Sequence, residues 1–503
     1  MSKVRLRLSG VTSFASQIVG YIVGILFAAM VSRRLSERDF GAWAYIGTIA
    51  SYAILPTDLF GLWITRDAAR GRKIFGSALM INLPFFLASL LFFIAFSGPA
   101  AVAVNLSRDT VLLGLLVLIP LFFKNVFEAL VKGYAYQHAG IAVMIFEFAK
   151  LTAGIILVVH FRMGLAGVFI ALSLSYALQT AYLLVMAREL FSSWIDLEVI
   201  KRWLRGSIFT MVGMLNNYLS ALDILLMSVI AGSTLITGYW QAALIIGSLV
   251  KTSGLLMGGL GQRLLAGGAQ KDVDKSLSFT MTLSIPILFG AIVLSDGLLW
   301  ILRPAYSSAW IIASLLAVSG FLMVLHRFYS SILGGTDTFD LREDVSFRDY
   351  ARSRVFLGMK ISLAVSSIYV VSAAILLILM NKAGVNMLMI LTALAMTNLL
   401  TTVASLLLYR HYVSKLTSIR LNIRGLIPNF KAASAMAVVV GLLRLIIDPK
   451  APRFLESLQA LLILVVAGAT VYFLLLWRLS PSFRSLLKDI HAFISWRSNS
   501  RAK

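Results

Sequence analysis

The sequence predicts an all-α, polytopic membrane protein of about 14 transmembrane helices. Three observations carry this. First, 59% of the 503 residues are hydrophobic and the mean hydropathy is +0.89, more apolar surface than a soluble domain keeps from water. Second, the apolar residues come in runs of about 20, the length a helix needs to cross the hydrocarbon core. Third, the lysines and arginines fall between these runs, and they fall unevenly.

The first run, 11–31, follows the basic start "MSKVRLRLSG". A signal peptide begins in the same way, but this run has full span length and many others follow, so it reads as an uncleaved first span. Five more runs complete a first group, at 41–62, 76–97, 110–131, 139–160 and 164–187. A second group lies at 207–231, 235–261, 277–301, 308–333, 357–380 and 386–409, and a final pair at 430–447 and 455–477. The expected organisation is an N-lobe over 1–187, a linker over 188–206, a C-lobe over 207–409, and two extra spans with a basic tail over 410–503.

Orientation follows from the loops. With the N-terminus inside, the inner segments hold roughly 30 of the 45 Lys and Arg and the outer loops roughly 9. Both termini are therefore expected in the cytoplasm, with the chain in the plasma membrane. The other six basic residues lie within spans: Lys124, Lys150, Lys251, Arg327, Lys360 and Arg444. The net charge of +23 and the pI near 10.3 follow from this loop bias, and no compact basic domain is present to hold a nucleic acid. The absence of cysteine excludes disulfides and thiolate metal sites.

Two inner segments are long. "RELFSSWIDLEVIKRWLRGS" (188–207) sets Leu190, Trp194, Leu197 and Trp203 among charges and reads as an amphipathic helix on the inner leaflet, dividing the two lobes. "GGTDTFDLREDVSFRDYARSR" (334–354) carries dense charge of both signs and reads as a solvated loop.

Spans one and two, with the outer loop between them, repeat as spans seven and eight. "FGAWAYIGTIAS" aligns with "TGYWQAALIIGS", so that Gly41 matches Gly238, Trp43 matches Trp240, Ser51 matches Ser248 and, in the preceding spans, Tyr21 matches Tyr218. Each Gly-x-Trp opens the second span of a six-span unit, where tryptophan is expected at the outer interface. An even number of spans gives both copies one orientation, a parallel repeat with the substrate path between the lobes.

The stretch "VSRRLSERDFGAWAYIGTIASY" resembles the opening of lipid-linked oligosaccharide flippases of the MOP (multidrug/oligosaccharidyl-lipid/polysaccharide) superfamily. "VKGYAYQHAGIAVMIFEFAKLTAG" and "GLAGVFIALSLSYALQT" resemble that family's fifth and sixth spans, and the charged loop before span eleven is similar to that of archaeal members. The resemblance covers most of the chain and rests on strings of small and apolar residues. It implies two six-helix bundles around a V-shaped cavity, plus two helices. The implied activity is movement of a polyprenyl-diphosphate-linked oligosaccharide from the inner to the outer leaflet, without enzymatic chemistry and without a cofactor. The partners are then the lipid-linked oligosaccharide, membrane lipids and a coupling ion, H⁺ or Na⁺.

Two rivals stay open. A cation-coupled multidrug exporter shares the fold, but the first span carries no acid, only Gln17, and the charges within spans lean basic. A membrane glycosyltransferase could use Glu37 and Asp39 of the first outer loop, but every outer loop here is short. No G-x-x-x-x-G-K-[ST] and no H-E-x-x-H is present, and the Asp272-Val-Asp274 pair lies in an inner loop.

The charges within spans supply the candidate site. Lys124 and Glu128 stand at i,i+4 on span four, and Glu147 and Lys150 at i,i+3 on span five. Both pairs lie about 8 residues from an inner span end, roughly 12 Å at 1.5 Å per residue. They either form a neutral strut between helices or line an inward-facing cavity, with cations for the headgroup and carboxylates for proton coupling. Asp58, Pro56, His326 and Arg327 lie in the inner parts of spans two and ten, as gating residues or as interface charges. Lys251 falls near the middle of span eight among Gly247, Ser248, Thr252, Ser253 and Gly254. It either pairs with Asp223 of span seven or binds the substrate's diphosphate.

Overall fold

Each apolar run lies on helix, but several helices stop or break where composition suggests continuity. The computed structural model describes residues 6–188, 195–257, 260–265, 267–337, 351–481 and 483–484. The centre of the charged loop (338–350) and most of the basic tail (485–503) lie outside the described residues, as do 189–194 of the expected linker, Leu190 and Trp194 included. No strand occurs among the described residues. Eleven of their helices are long and apolar enough to cross a membrane. The runs at 11–31, 41–62 and 235–261 fall on helices outside those eleven.

The chain packs as two compact units, Met1–Gln241 with Leu377–Gly384, and Ala242–Leu376 with Val385–Lys503. The first unit begins with α1 (Leu6–Arg34) and α2 (Glu37–Asp58). Ser36 caps α2 by accepting from the Asp39 amide at 3.0 Å, so the "SERDFG" string is a helix start, with Glu37 and Asp39 in its first turn favoured by the helix dipole. Pro56 lies in the last turn, and the chain turns at Leu59 and Phe60 into α3 (Gly61–Ala69), so span two ends earlier than its composition suggests. Then come α4 (Phe75–Ala103), the short α5 (Arg108–Leu112), α6 (Gly114–Tyr134) and α7 (Gln137–Gly154), which ends in a π-helical turn at Ile155–His160, and α8 (Gly164–Ala187). The core of this unit is aromatic: Phe93, Phe122, Phe169 and Trp203 are fully buried, and the Phe86 and Phe122 rings stack at 4.2 Å. A Cβ on Gly133 would stand 2.2 Å from the Thr65 carbonyl oxygen, which fixes how closely α6 meets α3.

Helix α9 (Leu197–Ala231) changes the reading of the linker. Residues 197–206 run without a break into span seven instead of forming a separate surface helix. Trp203 is fully buried, and its Nε1–H donates to Asp67 Oδ2 on α3 at 2.9 Å; Arg202 reaches the same oxygen at 2.5 Å. Asp67, 3% exposed, also has Arg72 at 3.4 Å and Arg70 at 3.7 Å. The indole was expected in the leaflet; a buried carboxylate beside it offers a stronger hydrogen bond than lipid can.

The start of α10 (Leu235–Thr252) closes the first unit. A Cβ on Gly41 would lie 1.8 Å from the Thr234 carbonyl oxygen and 2.8 Å from the Gly238 amide nitrogen, so the two matched glycines meet backbone to backbone. Trp240 is fully buried, not placed as an interface anchor, and Trp43 packs on Phe27 and Phe40. Around this contact Thr234 donates to the Arg38 carbonyl at 2.8 Å, the Arg38 guanidinium donates to the carbonyls of Val104 and Asn105, and the Asn105 amide donates to the Gly232 carbonyl at 3.1 Å.

In the second unit α10 ends at Thr252 and gives way to a 3₁₀ turn, Ser253–Met257, followed by α11 (Leu260–Leu265). The expected continuous span of 27 residues is therefore broken. Next are α12 (Gln270–Val293), α13 (Ser295–Leu302), α14 (Trp310–Gly335), α15 (Arg354–Lys382), α16 (Met387–Leu416), α17 (Ile427–Leu443) and α18 (Phe454–Leu479). Span nine also ends early, because the helix breaks at Leu294 and α13 lies between two candidate spans. Asp296 on α13 holds Lys450 at 2.6 Å and Arg444 at 2.8 Å, which ties α13 to the segment joining α17 and α18.

Candidate functional site

Lys251 stands in the last turn of α10, where the α-helix gives way to the 3₁₀ turn. The small residues around it do not all line an open space. A Cβ on Gly320 would meet the Gly247 carbonyl oxygen at 2.6 Å, which presses α10 onto α14, and Ser253 bonds Ser284 of α12 at 2.6 Å. This is the close helix approach that small residues permit in membranes. One side of the helix is thus held against its neighbours, while Lys251 is exposed.

Arg327 on α14 belongs to the same wall. A Cβ on Gly254, one turn beyond Lys251, would be 3.4 Å from Arg327 Nη1, and the two cations act on each other electrostatically. Among the described residues no carboxylate lies within 4.0 Å of either. His326, next in sequence, sets its ring at 4.3 Å edge-on to Tyr409, and among the described residues neither of its ring nitrogens has a hydrogen-bond partner. The wall therefore combines two cations that have no carboxylate within 4.0 Å among the described residues with a break at the end of α10. Such breaks leave backbone groups free to meet a charged substrate.

The first unit holds the acids. Asp58 is exposed at the end of α2; its Oδ1 accepts from the Asn125 amide at 3.0 Å and its Oδ2 from the Tyr218 hydroxyl at 3.2 Å. The Tyr52 hydroxyl donates to the Tyr218 backbone carbonyl. Neutral partners hold this carboxylate, with no cation within 4.0 Å among the described residues. Lys124 and Glu128 are paired at 2.6 Å, and Lys132 closes a triad on Glu128 at 2.6 Å. Glu147 and Lys150 are also paired at 2.6 Å, at 9% and 8% exposure, with the ammonium over the Phe146 and Phe27 rings. Each acid is paired within its own helix, with one lysine in excess on α6, and no ion pair joins α6 to α7 among the described residues. Asp223 is buried on α9, and its Oδ1 accepts from the Ile224 amide at 2.8 Å. It stands in the first unit and Lys251 in the second.

Sequence reasoning missed four members of these groups. Lys132 carried a readable signal, since it stands four residues after Glu128 as Lys124 stands four before it. Asn125, Tyr52 and Tyr218 carried none, because neutral side chains acquire a role only from what folding sets beside them.

No family model and no curated protein matches the sequence. Solved structures do. The lipid II flippase MurJ in an inward closed conformation aligns with 93% of this chain and 97% of its own, at 14% identity and a TM-score of 0.62. An inward-facing multidrug resistance MATE family transporter of the MOP superfamily aligns with 81% of this chain and 98% of its own, at 12% identity and a TM-score of 0.59. An outward-facing MATE structure aligns with 81% of this chain and 96% of its own, at 13% identity and a TM-score of 0.53. The fold is thus the one that these transporters and this flippase share.

Proposed function

We propose that the chain is a flippase that carries a polyprenyl-diphosphate-linked oligosaccharide from the cytoplasmic to the outer leaflet by alternating access, with both termini cytoplasmic. The observation that carries this reading is the wall of the second unit, where Lys251 and Arg327 stand at the broken end of α10 with no carboxylate within 4.0 Å among the described residues. Charge held within a membrane span is costly unless a partner or water offsets it, and a diphosphate supplies that partner in one state of the cycle. The substrate then binds one state more tightly than the other, the differential affinity that a directed conformational change requires. Lysine and arginine contribute differently: the guanidinium fork holds phosphate oxygens in a fixed geometry, and the flexible ammonium follows a moving charge. Within this reading Lys124 and Lys132 border the headgroup path, Asp58 is the carboxylate available for H⁺ or Na⁺, and the sealed Glu147–Lys150 pair is structural.

The test is flipping of a fluorescent polyprenyl-diphosphate sugar by purified protein in liposomes. Lys251→Met and Arg327→Gln should each lower the rate at least about tenfold, as loss of one charge-assisted contact predicts, with Lys251→Arg keeping part of it. Wild-type flipping by the double variant would reject the site. Transport recovered by Lys251→Met combined with Asp223→Leu would show instead that Lys251 serves only as a salt-bridge partner.

One observation favours a second reading, a cation-coupled multidrug exporter. Asp58 is exposed and, among the described residues, accepts hydrogen bonds from the neutral donors Asn125 and Tyr218, and an exporter of organic cations needs such a carboxylate. Resistance of expressing cells to toxic cations, lost in Asp58→Asn and unaffected by Lys251→Met, would favour the exporter.

A further inference from the structure

A second basic site lies in the second unit, lined from α14 by Tyr329, two residues after Arg327. It is a cavity of about 380 Å³ between α14, the last turns of α16 and the segment that joins α16 to α17. Arg410 and Arg420 supply its charge, Tyr329 and Ser414 its hydroxyls, and Ile419 and Ile423 its apolar lining. Both arginines are exposed, and among the described residues neither has a carboxylate within 4.0 Å.

The surrounding sequence is one-sided. From Tyr409 to Lys431 there is no Asp or Glu, while Arg410, Lys415, Arg420, Arg424 and Lys431 all fall there. Charge compensation for this stretch must come from outside it. The segment is also held in place. The Arg420 amide donates to Gln270 Oε1 at 2.9 Å, and Gln270 Nε2 donates to the Arg420 carbonyl at 2.6 Å, so one side chain of α12 clamps the Arg420 backbone from both sides. Asn422 caps the following 3₁₀ turn by accepting from the Gly425 amide at 3.2 Å. At the other border the Thr417 hydroxyl returns to the Val413 carbonyl at 2.8 Å and ends α16. A ligand entering this cavity has little backbone left to order.

We propose that the cavity binds the phosphate headgroup of an anionic lipid from the leaflet at this end of the helices, with the acyl chains leaving past Ile423. Arginine is the side chain that engages phosphate oxygens in pairs, and basic pockets between membrane helices at the interface take such headgroups. Ile423, 45% exposed at the rim, gives the site an apolar edge that a free phosphate does not need. The occupant is thus a bilayer lipid held beside the transporter, distinct from cargo crossing the membrane.

The test uses the full chain in mild detergent, with lipid retention followed by native mass spectrometry. Phosphatidylglycerol should be retained over phosphatidylcholine. Arg410→Gln with Arg420→Gln should weaken retention about 30-fold, from two basic contacts at a membrane surface. Lys415→Gln with Arg424→Gln removes the same charge outside the cavity and should leave retention near wild type. Equal loss in both double variants, or no preference for the anionic lipid, overturns the proposal. Displacement of the lipid by inorganic phosphate at equal concentration overturns the lipid assignment in favour of a phosphate site. A phosphatidylglycerol with a photoreactive headgroup, applied to the unmodified protein, should label the peptide around 410–423; labelling confined to other peptides overturns the proposal even if the variants do not fold.

Discussion

Replacing Asp67 by Asn keeps the size of a buried side chain and removes its charge. The carboxylate of Asp67 holds α3 to α9 through Arg202 at 2.5 Å and Trp203 at 2.9 Å. Removing one partner of a fully buried ion pair costs about 3–5 kcal/mol. Here the arginines are not fully buried: the Arg202, Arg72 and Arg70 side chains are 45%, 44% and 66% exposed, so water can compensate all three once the acid is gone. What is lost is one strong charge-assisted hydrogen bond and part of the field at the indole, about 2–3 kcal/mol for Asp67→Asn. Asp67→Ala also leaves the buried Trp203 N–H without an acceptor and should reach about 3–5 kcal/mol. Trp203→Phe tests the same bond from the other side, at about 1.5–3 kcal/mol. The absence of native cysteine allows a direct readout. A single cysteine at Ser207, next to the joint, should react faster with a maleimide in the Asp67 variants, in step with a lowered unfolding midpoint in detergent. Full additivity of Asp67→Asn and Trp203→Phe, or a change below about 0.5 kcal/mol for Asp67→Asn, would refute the view that this carboxylate holds α9.

Gly41→Ala should destabilise by about 1–3 kcal/mol or more, because its Cβ meets backbone atoms that cannot move aside, whereas Gly47→Ala on the same helix, with open space, should be neutral or stabilising; equal midpoints for the two would reject the close approach. Lys150→Met alone should cost about 3–5 kcal/mol by stranding a buried Glu147, and Lys150→Met with Glu147→Gln should recover most of it; a double variant no more stable than the single would assign the pair a role beyond mutual neutralisation. Burial pushes the Asp296 carboxyl up, but Lys450 and Arg444 more than offset this and hold it below the usual carboxylate range. A group lowered by folding adds stability above its unfolded pKa and loses that contribution as pH falls through the folded value. The tie between α13 and the α17–α18 segment should therefore persist at neutral pH and weaken only in acid, and Asp296→Asn should flatten the acid limb of a stability–pH profile; an unchanged limb would show the tie contributes nothing.

The sequence was most readable where a property belongs to one helix. Span-length apolar runs became helices, and the Lys124–Glu128 and Glu147–Lys150 pairs closed as their spacing indicates, since a pair at i,i+3 or i,i+4 needs nothing beyond its own helix. The breaks at Leu59, Thr252 and Leu294 stand beside polar residues (Thr57 and Asp58, Lys251 to Ser253, Ser295 and Asp296), but the unbroken α6 carries Lys124 and Glu128 as well, so the decision rests on neighbouring helices. The tryptophans misled for the same reason. Trp203 and Trp240 have the positions of interface anchors, yet each is buried in the first unit, Trp203 against an acid 136 residues away. Of the candidate site, the charged members were visible as anomalies in apolar runs. Their neutral partners Asn125, Tyr52 and Tyr218 came only from the fold.

The contact between Gly41 and Gly238 bears on how such a chain could arise. The two residues match in the repeat that the sequence suggests, and a Cβ on Gly41 would lie 2.8 Å from the Gly238 amide nitrogen. Before a duplicated segment is fused, a contact between equivalent positions is a contact of a residue with its own copy, which in a two-fold dimer occurs only beside the symmetry axis. If the repeat arose by duplication, the two positions have mutated separately since fusion, yet position 41 stays constrained, because a Cβ there meets backbone atoms of Thr234 and Gly238. Gly41 is therefore a position of this segment with little freedom to diverge.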